Sequence, residues 1–229
     1  NGFFLKFTEL GGAVPMLVAV AGIFWCINKS TGLWLLLGMN VNLLVNSLLK
    51  MTFCVYRPWI RDSRIVPDAE AVKGATGYSF PSGHCTDAAT LYGGLGLDRK
   101  LSALWRSFFF FVMLLIAFTR LYFCVHTSQD VLVGLTLGLI VMVLCRKIME
   151  KCENKSGCDL VVAGIFIVLD VLAMIYILNK NYPVDYDSEG KILVDGMKMA
   201  SDGIKTIGAN IAFFIDVNCL LKKQQKRMK

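Results

Sequence analysis

Three short groups of residues have the types and spacings that phosphate chemistry requires. They are Lys50-x6-Arg57-Pro58, Pro81-Ser82-Gly83-His84 and Arg120-x5-His126-x3-Asp130, and they include both histidines of the chain. Hydrolysis of a phosphate ester needs cations and N–H donors around the phosphate oxygens, an in-line nucleophile, and an acid for the leaving oxygen. The three groups together contain residues suited to each of these tasks.

The basic residues predict a phosphate-binding site. Lys50, Arg57 and Arg120 provide the cations, and a guanidinium presents a planar fork that matches two phosphate oxygens. Ser82 and Gly83 are expected at the N-terminus of a helix, where free backbone N–H groups and the helix dipole favour anions. The glycine also lets a phosphate approach the backbone closely.

His126 and Asp130 are four residues apart at the predicted start of a helix, which places them on one face within hydrogen-bonding reach. A carboxylate on one ring nitrogen fixes the tautomer and makes the other nitrogen a better nucleophile. Simpler alternatives stay open for the charged residues. Arg120 and Asp130 could form an ion pair between helices, and Lys50 and Arg57 could extend their charges from helix ends to the membrane surface.

Long apolar segments connect these groups. The chain is 55% hydrophobic and only 18% charged, and a helix that crosses a bilayer needs about 20 apolar residues. Seven segments qualify, at 12–27, 32–53, 82–97, 104–125, 128–148, 160–178 and 204–221. Lipid tolerates only helices or closed barrels, and these runs do not alternate in polarity. We therefore expect one all-α membrane domain, a polytopic bundle of six to seven transmembrane helices.

Two segments of this bundle have compositions of their own. Segment 82–97 is rich in Gly, Ala and Thr, and small residues let helix backbones approach closely, so we expect it inside the bundle. The first ten residues are amphipathic, which predicts an interfacial helix on the outer side of the membrane. The sequence begins with Asn1 and has no cleavable signal, so an upstream segment is an open alternative.

The net charge of +7 is explained by topology rather than by nucleic-acid binding. Lys and Arg concentrate in alternate loops and in the tail, which the positive-inside rule assigns to the cytoplasm. These residues are Lys29, Arg99, Lys100, Arg106, Arg146, Lys147, Lys151, Lys155, Lys222, Lys223, Lys226, Arg227 and Lys229. The prediction is an integral plasma-membrane protein whose three groups of candidate phosphate-site residues lie on the extracytoplasmic side.

The three groups, in this order and with the stretch ATGYSFPSGH at 75–84, resemble the type 2 phosphatidic acid phosphatase family, above all its bacterial membrane members. The resemblance covers about residues 1–143 and departs mildly at Thr119, where the family usually has Ser before Arg120. It implies a phosphatidic acid phosphatase/haloperoxidase-like core. It also implies that His126 forms a phosphohistidine, that His84 protonates the leaving group and later activates water, and that no metal or other cofactor is required.

We therefore expect a lipid phosphatase with its catalytic core in residues 1–148. Residues 149–229 would add two transmembrane helices, an extracytoplasmic loop and the basic tail. Candidate substrates are undecaprenyl pyrophosphate, phosphatidylglycerol phosphate and phosphatidic acid. A lipid-linked phosphotransferase stays open as an alternative, as does a lipid transporter that uses Asp170 and Asp216 within the last two helices. The oligomeric state is not determined by the sequence.

The remaining polar residues have two interpretations each. Asn42 and Asn46 lie on the same helical face as Lys50 and form either interhelical hydrogen bonds or headgroup contacts. Asp87 either supports His84 or caps a neighbouring group. The eight cysteines have no zinc-site spacing and are expected to fill space in the helices, although a disulfide among Cys54, Cys85 and Cys124 is a further alternative.

Overall fold

The structure, a computed structural model, describes residues 2–152, 155, 157–187 and 189–227, and the side chains at 159 and 216–227 lie outside the described part. Its regular elements are helices, which confirms the all-α prediction. The first half contains α1 (Gly2–Glu9), α2 (Ala13–Gly22) with the π-helical turn Ile23–Ile27, α3 (Lys29–Phe53), α4 (Pro58–Arg61) and α5 (Ala69–Lys73). The second half contains α6 (Gly83–Ala88), the π-helical turn Ala89–Gly93, α7 (Gly94–Leu97), α8 (Ala103–Tyr122), α9 (Ser128–Cys152), α10 (Cys158–Asn179) and α11 (Gly196–Arg227).

Four helical stretches of the described part are long and apolar enough to cross a membrane: Lys29–Arg61, Ala103–Tyr122, Ser128–Cys152 and Leu160–Asn179. Helix α1 and the stretch Ala13–Ile27 are bent by 55° against each other, and they provide a fifth span if they cross the membrane together. The predicted number of six to seven is therefore not confirmed. The segment from α6 to α7 is too short to span a bilayer by itself, and the side chains of α11 from residue 216 onward lie outside the described part.

The segment from α6 to α7 lies inside the bundle, as its small residues predicted. Ala88 and Ala89 are fully buried, and a side chain added at Gly138 of α9 would lie 2.5 Å from the Ala89 methyl group. Helix α3 closes the other side through hydrogen bonds from Asn42 Nδ2 to Thr90 Oγ1 (2.6 Å) and from Asn46 Nδ2 to Thr86 Oγ1 (2.9 Å). The asparagines therefore hold helices together, the first of their two interpretations.

A second polar cluster lies at the end of the bundle where α7 ends and α8 begins. The buried Asp98 accepts a hydrogen bond from Thr31 Oγ1 at 3.1 Å, and Arg146 Nη2 lies 3.5 Å from its carboxylate. The Arg146 guanidinium also stacks over the Trp34 ring. Near this end a disulfide joins Cys152 to Cys158, a pairing that the sequence did not predict. Cys54, Cys85 and Cys124 are free.

The last two helices pack on the core rather than standing apart from it. Asn210 of α11 donates to the Asn40 carbonyl of α3 at 3.0 Å, and Asp170 of α10 is 1% exposed and contacts Asn210. Asp216, the other acid of this region, has its side chain outside the described residues. Asp170 therefore belongs to an interhelical polar contact, which costs less in lipid than an isolated acid.

Candidate active site

The structure brings the three groups together at one end of the bundle. Each group sits where a helix starts or stops, because the chain must leave the bilayer there. Lys50 is in the last turn of α3, Arg57 caps α4, His84 is in the first turn of α6 and Arg120 is in the last turn of α8. His126 lies between α8 and α9, and Asp130 is in the first turn of α9. Arg57, Ser82, Arg120, His126 and Asp130 are all buried.

His126 is held on both sides of its ring. Arg57 Nη1 lies 2.8 Å from Nε2, while Nδ1 lies 3.3 Å from Ser79 Oγ and 3.5 Å from Asp130 Oδ2. Because an arginine can only donate, Nε2 must accept, and the ring proton is assigned to Nδ1. The arrangement therefore presents the Nε2 lone pair on the side of the cations, as a nucleophile facing a bound phosphate would require.

Ser79 is a site residue that the sequence analysis missed. Its hydroxyl donates to Asp130 Oδ2 at 2.5 Å and can accept the proton on His126 Nδ1. It lies inside the 75–84 stretch but has no periodic or charge signal of its own. Only the fold brings it next to Asp130, which is 51 residues away in the chain.

Asp130 is fixed by the start of its own helix. Its Oδ2 accepts from the Thr127 N–H at 2.8 Å, and Thr127 Oγ1 accepts from the Asp130 N–H at 3.3 Å. This reciprocal capping satisfies backbone donors that the first turn of a helix leaves free. The Asp130 carbonyl also accepts from the Ser82 N–H at 3.1 Å, so α9 is tied to the start of α6.

Arg57 donates hydrogen bonds to several backbone carbonyls of the site. Besides His126, its guanidinium donates to the carbonyls of Thr76, Gly77 and Val125 at 2.9–3.0 Å. Lys50 Nζ donates to the neighbouring Tyr78 carbonyl at 3.1 Å. Backbone acceptors of residues 76–78 therefore hold two of the three basic residues predicted to bind phosphate, and no motif in the sequence indicates these contacts.

Arg120 and His84 line a shared cavity of about 300 Å³. Arg120 Nη1 donates to Thr8 Oγ1 of α1 at 2.9 Å, and Arg120 Nε has no hydrogen-bond partner among the described residues. No hydrogen bond of the His84 side chain is seen within the described part. A buried guanidinium N–H without a partner costs free energy, so this arginine is ready to accept an anion.

The predicted helix N-terminus is present, with one difference. Ser82 is the N-cap of α6, but its N–H is bound to Asp130 and is not available to a ligand. A side chain added at Gly83 would meet nothing within 4 Å, which leaves the space above this glycine open. The N–H groups of the first turn that have no partner in the helix are then those of Gly83, His84 and Cys85.

The electrostatics of the site favour a neutral His126. Burial lowers the pKa of His126 well below its usual range. Asp130 acts against this shift, and the charges of Arg57, Lys50 and Arg120 reinforce it. The ring is therefore neutral at neutral pH, with its single proton on Nδ1, and Nε2 keeps its lone pair for attack. Asp87 interacts electrostatically with Lys50, and we find no hydrogen bond from it to His84 within the described part of the chain.

Comparison with known proteins identifies the family. The sequence model of the PAP2 superfamily matches residues 31–154. The chain belongs to the PAP2 superfamily. It is also 31% identical over 159 residues to phosphatidylglycerophosphatase B of Bacillus subtilis (strain 168), over 64% of this chain and 74% of that protein. No solved structure matches the chain.

Membership of the PAP2 superfamily makes the chain a hydrolase, a lipid phosphatase carried by membrane helices. The PAP2 match contains Lys50, Arg57, His84, His126 and Asp130 but excludes α1, α10 and α11 completely. Among the described residues, no group of three or more His, Cys, Asp or Glu side chains is arranged to hold a metal ion.

Proposed function

We propose that this protein hydrolyses the phosphate monoester or pyrophosphate of a membrane lipid through a phosphohistidine on His126, without a metal ion. The observation that carries the proposal is the His126 environment. Its Nδ1 faces Ser79 and Asp130, and its Nε2 faces Arg57. A nucleophile with an oriented ring and a cation beside the attacking nitrogen suits attack on an anionic phosphorus centre.

The reaction needs two displacements at phosphorus. In the first, His126 Nε2 attacks, the P–O bond to the leaving group breaks, and His84 gives that oxygen a proton. As the P–N bond forms, the Arg57 N–H that contacts Nε2 in the free site keeps its proton and donates its hydrogen bond to a phosphate oxygen instead. In the second, His84 takes a proton from water, the water oxygen attacks phosphorus, and the P–N bond breaks to release phosphate. Lys50, Arg57 and Arg120 offset the phosphate charge throughout, with the N–H groups at the start of α6.

The relative and the position of the site support our proposal for the substrate class. The Bacillus protein is named for phosphatidylglycerophosphate, and we propose this lipid first, ahead of phosphatidic acid and undecaprenyl pyrophosphate. The site lies at the end of the bundle, so the headgroup can enter it while the acyl or prenyl chains stay in the bilayer. Catalysis is proposed to reside in residues 1–148, with 149–229 adding the hairpin of α10 and α11.

Phosphate release from a panel of lipid phosphates and pyrophosphates tests this function. We expect activity on at least one lipid phosphate, unchanged by chelators and inhibited by vanadate, because cationic side chains provide the charge that a metal would provide. Loss of activity with chelator would overturn the metal-free mechanism. The same assay with added lipid or sugar acceptors separates hydrolysis from phosphotransfer. A purified protein that releases no phosphate from any member of the panel would favour the transporter alternative.

We also propose that the site faces the extracytoplasmic side of the plasma membrane. Support comes from the Lys and Arg distribution. Two exposed lysines allow a test, because Lys73 is near the site and Lys100 is at the other end of the bundle. The test uses a protein whose free cysteines are replaced by alanine, expressed in intact cells with either Lys73→Cys or Lys100→Cys. An impermeant thiol reagent is expected to label position 73 and not position 100. Permeabilised cells provide the control, and the reverse labelling pattern would overturn the orientation.

The Cys152–Cys158 pair offers a second measure of the same orientation. It connects α9 to α10 at the end opposite the site. Disulfides are rare in reducing compartments. If this end is cytoplasmic, we expect the pair to be reduced when cells are quenched with an alkylating reagent, and to close on oxidation in detergent. A pair that is fully closed in quenched cells would argue against a cytoplasmic position for this end.

A further inference from the structure

Helix α1 reaches the site although it lies outside the part of the chain that matches the family. Its Thr8 is 3% exposed and contacts two residues at the end of α8. Thr8 Oγ1 lies 2.9 Å from Arg120 Nη1 and 3.0 Å from Thr119 Oγ1. Thr119 Oγ1 in turn lies 2.6 Å from the Ile116 carbonyl.

The directions of these hydrogen bonds place Thr8 between two donors. Arg120 Nη1 and Thr119 Oγ1 both donate to Thr8 Oγ1, and a hydroxyl oxygen has two lone pairs with which to accept. Thr119 Oγ1 is also within donating distance of the Ile116 carbonyl, so its side chain lies against the backbone of its own helix. The orientation of Arg120 is thus tied to α8 through a side chain of α1.

We propose that Thr8 is a positioning residue that holds the Arg120 guanidinium toward the phosphate. The contact takes one terminal N–H of Arg120 and leaves Nε, which is buried without a partner in the described residues, for the ligand. Helix α1 also lines the cavity shared by Arg120 and His84. A long arginine loses side-chain entropy when it binds phosphate, and a guanidinium already fixed in place loses less. The proposal rests on the phosphatase function proposed above.

The test compares two substitutions of Thr8 in the full-length protein, with a lipid phosphate as substrate. Thr8→Val keeps the shape of the side chain and removes the hydroxyl. It is expected to lower kcat/KM by roughly 10- to 100-fold, less than the loss of a direct donor to the transition state, and to weaken vanadate inhibition to a similar extent. Thr8→Ser keeps the hydroxyl and is expected to restore both quantities to within about threefold of the unmodified protein.

The matched control is Thr31→Val, which removes another buried threonine hydroxyl bonded to a charged side chain, Asp98, at the opposite end of the bundle. It is expected to leave kcat/KM and vanadate inhibition unchanged. Thermal unfolding in detergent identifies any variant that does not fold, in which case Thr8→Ala replaces Thr8→Val. A folded Thr8→Val or Thr8→Ala protein with unchanged kcat/KM and vanadate inhibition would overturn the role of Thr8. If the proposed phosphatase function were wrong, the unmodified protein would itself show no phosphatase activity, which distinguishes that result from a failure of the proposal for Thr8.

Discussion

Replacing His126 with alanine is expected to abolish phosphate release, with a loss of at least about 10⁴-fold in kcat, the scale seen when an enzyme loses its nucleophile. His126 is the ring whose Nε2 faces the cations and whose opposite nitrogen is held by Ser79 and Asp130. Within the described site no other uncharged nitrogen nucleophile has an oriented position of this kind. The measurement is phosphate release from the best substrate of the lipid panel.

A trapping experiment separates the role of His126 from that of His84. His84→Ala keeps the nucleophile and removes the group that protonates the leaving oxygen and activates water. The substrate is ³²P-labelled, has a leaving group that departs without protonation, and the reaction is stopped without acid because phosphohistidine is acid-labile. We expect a labelled phosphoryl group to accumulate on His126 in this variant. His126→Ala should not be labelled at all. Labelling of His126→Ala would show that another residue attacks phosphorus.

Replacing Asp130 with asparagine is expected to lower kcat by roughly 10³- to 10⁴-fold, by analogy with catalytic histidines that lose their orienting carboxylate. Asp130 Oδ2 accepts from both Ser79 Oγ and the Thr127 N–H. An asparagine whose oxygen takes the Oδ2 position keeps both contacts but loses the negative charge beside the His126 ring. If its NH₂ group takes that position instead, it faces the Thr127 N–H as a second donor and also faces Ser79 and His126. A donor on that side favours the tautomer with the proton on Nε2, which cannot attack.

The control for this variant is Asp98→Asn at the opposite end of the bundle. Asp98 is also a buried carboxylate within a hydrogen-bond network, so both substitutions remove a buried charge. We expect Asp98→Asn to lower thermal stability and to leave kcat per folded molecule unchanged. If Asp130→Asn were equally active per folded molecule, the carboxylate would have a structural role only.

The C-terminal hairpin of α10 and α11 has a position that its sequence did not suggest. Met199 of α11 packs on Gly77, whose φ of +71° suits a glycine, and its sulfur accepts from the Tyr78 N–H at 3.2 Å. The carbonyls of these two residues hold Arg57 and Lys50. The hairpin thus packs on the loop that holds two proposed phosphate ligands, which places it next to the site.

The amino-acid sequence determined the helical character of this protein and indicated its class of chemistry. His84, His126 and Asp130 could be predicted as site residues because the roles proposed for them depend on side-chain type and short spacing, both of which are local properties. The helices and the buried position of the segment from α6 to α7 could be predicted because lipid allows few backbone conformations and small residues allow close packing. Membership of the phosphatase family follows from the same local groups.

The tertiary structure decided which uncharged residues complete the site. Ser79 and Thr8 are unremarkable in sequence, and their contacts with Asp130 and Arg120 join residues 51 and 112 positions apart. It also decided that the Ser82 N–H is bound to Asp130 rather than free, and that the guanidinium of Arg57 is held by backbone carbonyls. A hydroxyl or a carbonyl carries no pattern of its own, so its role exists only once packing has placed a charged partner beside it.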